Sequence, residues 1–140
     1  MRQDLQQKFY DRWPKWFEGR HLSIQESLMP FGFDHGDGWF ELEWRLCEDL
    51  EKLLGEHLDS YRLVQIKEKF GTLRWYDNGN YPDHLYSAIQ DRVYDAELES
   101  SRVCELCGKP GRLNTDRAWW QTLCEECRRR LTANPDYETR

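Results

Sequence analysis

Cys104, Cys107, Cys124 and Cys127 are the residues whose type and spacing first suggest chemistry. They form two CxxC pairs separated by sixteen residues, within "VCELCGKPGRLNTDRAWWQTLCEECRRRLT", a spacing in the range of four-cysteine zinc sites. Four thiolates about 2.3 Å from one ion close a tetrahedral shell, and a two-residue spacer lets both sulfurs of a pair face the same metal. Gly108, directly after the first pair, supplies the left-handed turn a zinc knuckle needs. The expected cofactor is one structural Zn2+. A catalytic zinc keeps one position open for water, and four cysteines fill it.

The surroundings of the cysteines predict a fold for them. A knuckle, a hairpin through "GRLNTDRAWWQTL" and a helix opening on the second pair have the order of a treble-clef finger. A zinc ribbon would continue into a strand, whereas "EECRRRL" reads as a helix whose start favours thiolate charge. Treble clefs also carry HNH-type nucleases, which need a catalytic His near a metal-binding His or Asn. His21, His35, His57 and His84 all lie outside the cysteine segment and read as solvated residues of loops and polar helix faces. Asp37 together with Gln65–Lys67 could imitate the carboxylate and lysine of a restriction-like nuclease. A long helix separates them, so Asp37 reads as a helix cap and Lys67 as a strand residue. No phosphate-cradling loop or nucleophile elbow is present, and no catalytic residue is assigned.

These residues must be positioned by an α+β fold of three main helices, a small antiparallel β-sheet and the C-terminal finger. Residues 1–101 are read as the core domain, 102–131 as the finger packed on it, and 132–140 as a tail. Leu5, Phe9, Trp13, Trp16 and Phe17 follow helical spacing, with a break expected near Arg12 because Pro14 cannot continue the helix. Residues 19–38 read as a long loop pinned by "LMPFGF". Trp39, Leu42, Leu46, Leu50 and Leu53 then repeat at three and four until Gly55 closes the helix, with Cys47 as a small buried thiol on its apolar side. "YRLVQIKEKFGTLRWYDNG" predicts two antiparallel strands turning near residues 69–72. Its apolar face should hold Val64, Ile66, Phe70, Leu73 and Trp75. After Pro82, Leu85, Ile89, Val93 and Ala96 mark a third helix.

Charge is distributed unevenly. The net charge is −6, which disfavours indiscriminate nucleic-acid binding. Yet residues 62–76 hold four basic and one acidic side chain, and residues 102–131 hold seven and four, against two and ten in residues 21–61. Lys67, Lys69 and Arg74 on the hairpin, with Arg128, Arg129 and Arg130 after the last cysteine, are therefore the candidate ligand-binding residues. Trp119, Trp120 and exposed members of the hairpin are candidate anchors for a partner. No signal-peptide run or membrane-spanning stretch is visible, and paired cysteines without an export signal predict a reducing cytosol.

"FGFDHGDGW" (residues 31–39), Leu46–Cys47, "QIKEKFGTLRWY" (residues 65–76), "CELCGKPG" and "WWQTLCEEC" together resemble a family of small zinc-binding proteins of bacteria, prophages and phages. The family's activity is undefined. The resemblance covers residues 10–130 and implies a bacterial cytosol, including that of a phage-infected host. The resulting expectation is a non-enzymatic, zinc-stabilised accessory or modulator factor that binds a protein, with counter-defence as one role. Nucleic-acid or nucleotide binding through the basic hairpin and finger is the alternative, and a metal-dependent nuclease the third.

Overall fold

A computed structural model describes residues 1–134 of the 140. The first helix, α1 (Gln3–Arg12), ends as the approach of Pro14 requires, and its aromatic stripe turns inward. Phe9, Trp13, Trp16 and Phe17 are all buried, and Trp13 stacks on Trp16 with ring centres 5.5 Å apart. The following loop buries Met29 and Phe33 and leaves Phe31 exposed.

Phe33 and Asp34 form β1, which runs parallel to β2 (Leu63–Lys69) with Phe33 opposite Ile66 and Asp34 opposite Lys67. β2 pairs antiparallel with β3 (Thr72–Asp77). The three-stranded sheet, in order β1-β2-β3, is thus mixed, not purely antiparallel. A two-residue strand has no alternation to read, so the sequence cannot announce it.

Between β2 and β3 the chain turns on Phe70 and Gly71, both at positive φ (54° and 85°). Such primed two-residue turns match the twist of a hairpin. The expected inward face needs two corrections. A register shift between Leu63 and Gln65 buries Leu63 and leaves Val64 half-buried. Phe70 has left the strand for the turn and is 63% exposed. Ile66, Leu73 and Trp75 are buried as expected.

α2 (Phe40–Leu54) follows a single 3-10 turn at Asp37–Trp39 and stops at Gly55, φ 53°. Asp37 does not cap it. Because the chain already coils through residue 37, its carboxylate serves α1 instead, accepting from the Arg2 backbone N–H at 2.7 Å. α3 (Asp83–Ser100) buries Ile89, Val93 and Ala96 and closes the outer edge of β3. The outward N–H groups of Leu73 and Trp75 donate to Ser100 Oγ (2.9 Å) and Glu97 Oε2 (3.0 Å), so that edge offers no free donors for pairing at these two positions.

The finger consists of the knuckle, the antiparallel pair β4 (Arg112–Asn114) and β5 (Gln121–Leu123), and α4 (Glu125–Ala133). Thr132 and Ala133 belong to α4, so the tail expected from residue 132 begins later, and residues 135–140 of it lie outside the described residues. Three hydrogen bonds tie the knuckle side of the finger to the loop that leads into α2. Gly36 N–H donates to Glu105 Oε2 (2.8 Å), Gly38 N–H to the Glu105 carbonyl (2.7 Å), and Trp39 Nε1 to the Val103 carbonyl (2.9 Å). Gly38 allows this approach, since a Cβ there would lie 2.0 Å from the Cys104 carbonyl oxygen. No helix among the described residues is long and apolar enough to cross a membrane.

Candidate metal centre and the groove beside it

The four cysteines converge. Their sulfurs all lie within 4.8 Å of one another, and among the described residues no other group of three or more His, Cys, Asp or Glu side chains is close enough to share an ion. Cys107 Sγ and Cys124 Sγ are 3.6 Å apart, near the edge of about 3.8 Å that a tetrahedron of 2.3 Å metal–sulfur bonds requires. Local structure produces this convergence. Gly108 takes φ 82° and donates its N–H to the Cys104 carbonyl, closing the knuckle. Cys124 sits at the N-cap of α4, where its sulfur accepts from the Cys127 N–H at 3.4 Å.

Burial works to raise the Cys124 thiol, but the Cys127 N–H and the neighbouring thiols outweigh it and hold it at about 7. Partial desolvation of its sulfur pushes the Cys107 thiol up. The cluster is therefore primed to deprotonate first at the helix start, and the donor set fits one metal ion. Cys107 is exposed while the other three are buried.

Behind the knuckle lies a polar cluster that sequence reasoning missed. His35, expected to be solvated, is fully buried. Its Nδ1 donates to the Gly36 carbonyl at 2.7 Å, and its Nε2 lies 2.8 Å from Oε1 of Glu43, also fully buried. The Met1 ammonium donates to the Phe33 and His35 carbonyls. With Nδ1 committed to a carbonyl, Nε2 and the carboxylate must share a proton, on the ring or on the acid. Burial opposes charge on His35, yet the Glu43 carboxylate and the Gly36 carbonyl outweigh it and raise its pKa. Burial likewise raises Glu43 against the pull of His35. Burial and Glu43 also push the Cys47 thiol far up, so that residue is the inert core thiol expected. The missed signal was Glu43 itself, four residues after Trp39 and three before Leu46, inside the apolar stripe of α2.

The six candidate binding cations divide. Lys67 and Lys69 line a groove of about 680 Å³ between the hairpin turn and the loop joining β4 to β5, together with Asp34, Phe70, Trp119 and Trp120. The remaining cations lie outside it. Arg74, opposite Lys67 on β3, donates to Thr72 Oγ1 at 2.9 Å. Arg128 pairs with Asp116 at 2.6 Å, Arg130 with Glu126, and Arg129 is exposed on α4.

The groove's rings are held by the contact between hairpin and finger. Gly71 packs close under the finger, where a Cβ would lie 2.3 Å from the end of the Leu113 side chain, and its carbonyl accepts from Thr122 Oγ1 at 2.7 Å. Phe70 meets Trp120 edge-on at 6.1 Å, and Lys69 Nζ lies 5.5 Å from the Phe70 ring centre. Trp119 and Trp120 remain 60% and 45% exposed. Comparison with protein-family models, curated proteins and solved structures finds no match to the chain.

Proposed function

We propose that the chain is a non-enzymatic, zinc-stapled binding protein whose partner is another protein seated in the groove between Phe70 and Trp119. Zinc is the assigned metal because an all-thiolate tetrahedral set suits it, and a closed shell makes its role structural. The observation that carries the protein-binding reading is Phe70. A bulky residue at φ 54° costs about 1–2 kcal/mol relative to an ordinary backbone conformation, and an exposed ring recovers little of that by burial. Two exposed tryptophans beside it make an anchoring surface of the kind protein interfaces use.

Nucleic-acid binding is the weaker reading, because Arg128 and Arg130 are paired with Asp116 and Glu126 and only two cations line the groove to neutralise phosphates. The likeness of the motifs to phage and prophage proteins supplies the setting, an accessory or counter-defence factor acting in the bacterial cytosol. Photocrosslinking tests the reading. p-Benzoylphenylalanine in place of Trp119 should capture a protein in the native host, with and without nuclease treatment, while the same group in place of the exposed Tyr86 on α3 should not. An adduct that vanishes with nuclease, or none at all, refutes it.

A further inference from the structure

Resting on that reading, we infer that the segment bound in the groove is anionic as well as apolar: an extended peptide in which acidic residues two apart adjoin an aromatic or aliphatic anchor. Lys67 and Lys69 are two residues apart on one strand, so their stems rise from the same face about 6.6 Å apart. Carboxylates at positions i and i+2 of an extended peptide have the same spacing. The rings follow along the same line, with Phe70 next in sequence and Trp119 and Trp120 forming the opposite wall.

Of the groove's two acids, Glu68 is almost fully buried and accepts from the Gly71 N–H at 2.8 Å, its side chain alternating to the strand face opposite Lys67 and Lys69; Asp34 stands opposite Lys67, which leaves the lysines in excess on their face. The chain's net charge of −6 favours a short anionic segment over a long polyanion.

The test uses the full zinc-loaded chain carrying 5-fluorotryptophan, titrated and followed by fluorine NMR. The probe is acetyl-Asp-Thr-Glu-Trp-Glu-Thr-Asp-amide, which reads the same in both chain directions. Its amide analogue replaces Asp by Asn and Glu by Gln, and an eight-residue oligothymidylate serves as the nucleic-acid arm. The acidic peptide should shift the Trp119 and Trp120 resonances and leave those of the buried tryptophans in place. The amide analogue should bind about fivefold to tenfold more weakly, the effect of two partly solvated ion pairs. The double variant Lys67→Glu/Lys69→Glu should reverse that preference while keeping its metal. Equal binding of the acidic and amide peptides overturns the inference, as does stronger binding of the oligothymidylate. If neither peptide shifts the two resonances while crosslinking from position 119 still captures a protein, the acidic-segment inference fails and the protein-binding reading stands.

Discussion

Replacing Gly38 by alanine tests how the finger is held to the core. The new Cβ would lie 2.0 Å from the Cys104 carbonyl oxygen, 2.6 Å from Gly108 N and 2.7 Å from the Glu105 carbonyl carbon. All three are main-chain atoms of the knuckle, so no side-chain rotation relieves the clash. Restoring an ordinary contact of 3.4 Å to the oxygen requires the loop and the knuckle to part by more than an ångström. That motion breaks the 2.7 Å bond from Gly38 N–H to Glu105 and strains the neighbouring bonds from Gly36 and Trp39. A neutral hydrogen bond is worth about 1 kcal/mol and one to a carboxylate about 1.5–3 kcal/mol, so the expected loss is about 3–5 kcal/mol. This is a large part of a typical domain's stability. Gly55→Ala is the control, since φ is 53° there but nothing lies within 4 Å, and the backbone penalty alone is about 1 kcal/mol. Urea unfolding followed by tryptophan fluorescence measures both variants, and mass spectrometry of bound metal checks the cysteines. Gly38→Ala should keep one metal per chain, because every ligand lies within the finger. A loss no larger than that of Gly55→Ala would refute this account of the docking.

Phe70→Asn should raise stability by about 1 kcal/mol, because asparagine tolerates the left-handed turn, and should weaken partner capture from position 119; unchanged capture would make Phe70 a bystander. Cys107→Ser should release the metal and unfold residues 102–131, seen as loss of bound metal and a lowered melting temperature, whereas full metal content and an unchanged melting temperature would contradict a structural ion. The His35–Glu43 pair should make stability fall as pH rises. Both groups have folded pKa values above their ordinary ones, so their contribution is complete below the unfolded values of about 4.3 and 6.5 and is lost above them. The urea midpoint of the wild type minus that of His35→Gln/Glu43→Gln should therefore shrink between pH 6 and pH 9, and a gap that widens would reverse the sign.

Much of the scaffold was legible because its signals are local. Cysteine spacing, the 3.6-residue repeats of α2 and α3 and the glycine closing α2 each depend on neighbours in sequence. What the sequence concealed depends on distant contacts. β1 consists of two residues and exists only because Ile66 and Lys67 lie beside it. Asp37 looked like a cap for the helix it precedes, but it serves the start of α1, reached only through the tertiary fold. Alternation placed Phe70 in the core, and the φ 54° of the turn turned it outward. The cations of the finger looked free in sequence, although Asp116 and Glu126 neutralise two of them.

The bond from Thr122 Oγ1 to the Gly71 carbonyl joins a groove wall on the core hairpin to one carried by the finger, which a metal held by the four cysteines would brace. Phe70 and the lysines belong to the core hairpin, while Trp119 and Trp120 stand on the loop joining β4 to β5, in a finger whose helix begins at Cys124 of the candidate metal centre. A ligand touching both walls and a metal bound in the finger would therefore share a thermodynamic cycle. Whatever factor the metal contributes to ligand affinity, the ligand must return to metal affinity. Under metal limitation the partner would act as a retention factor, and an unpartnered chain would surrender its ion to a chelator first.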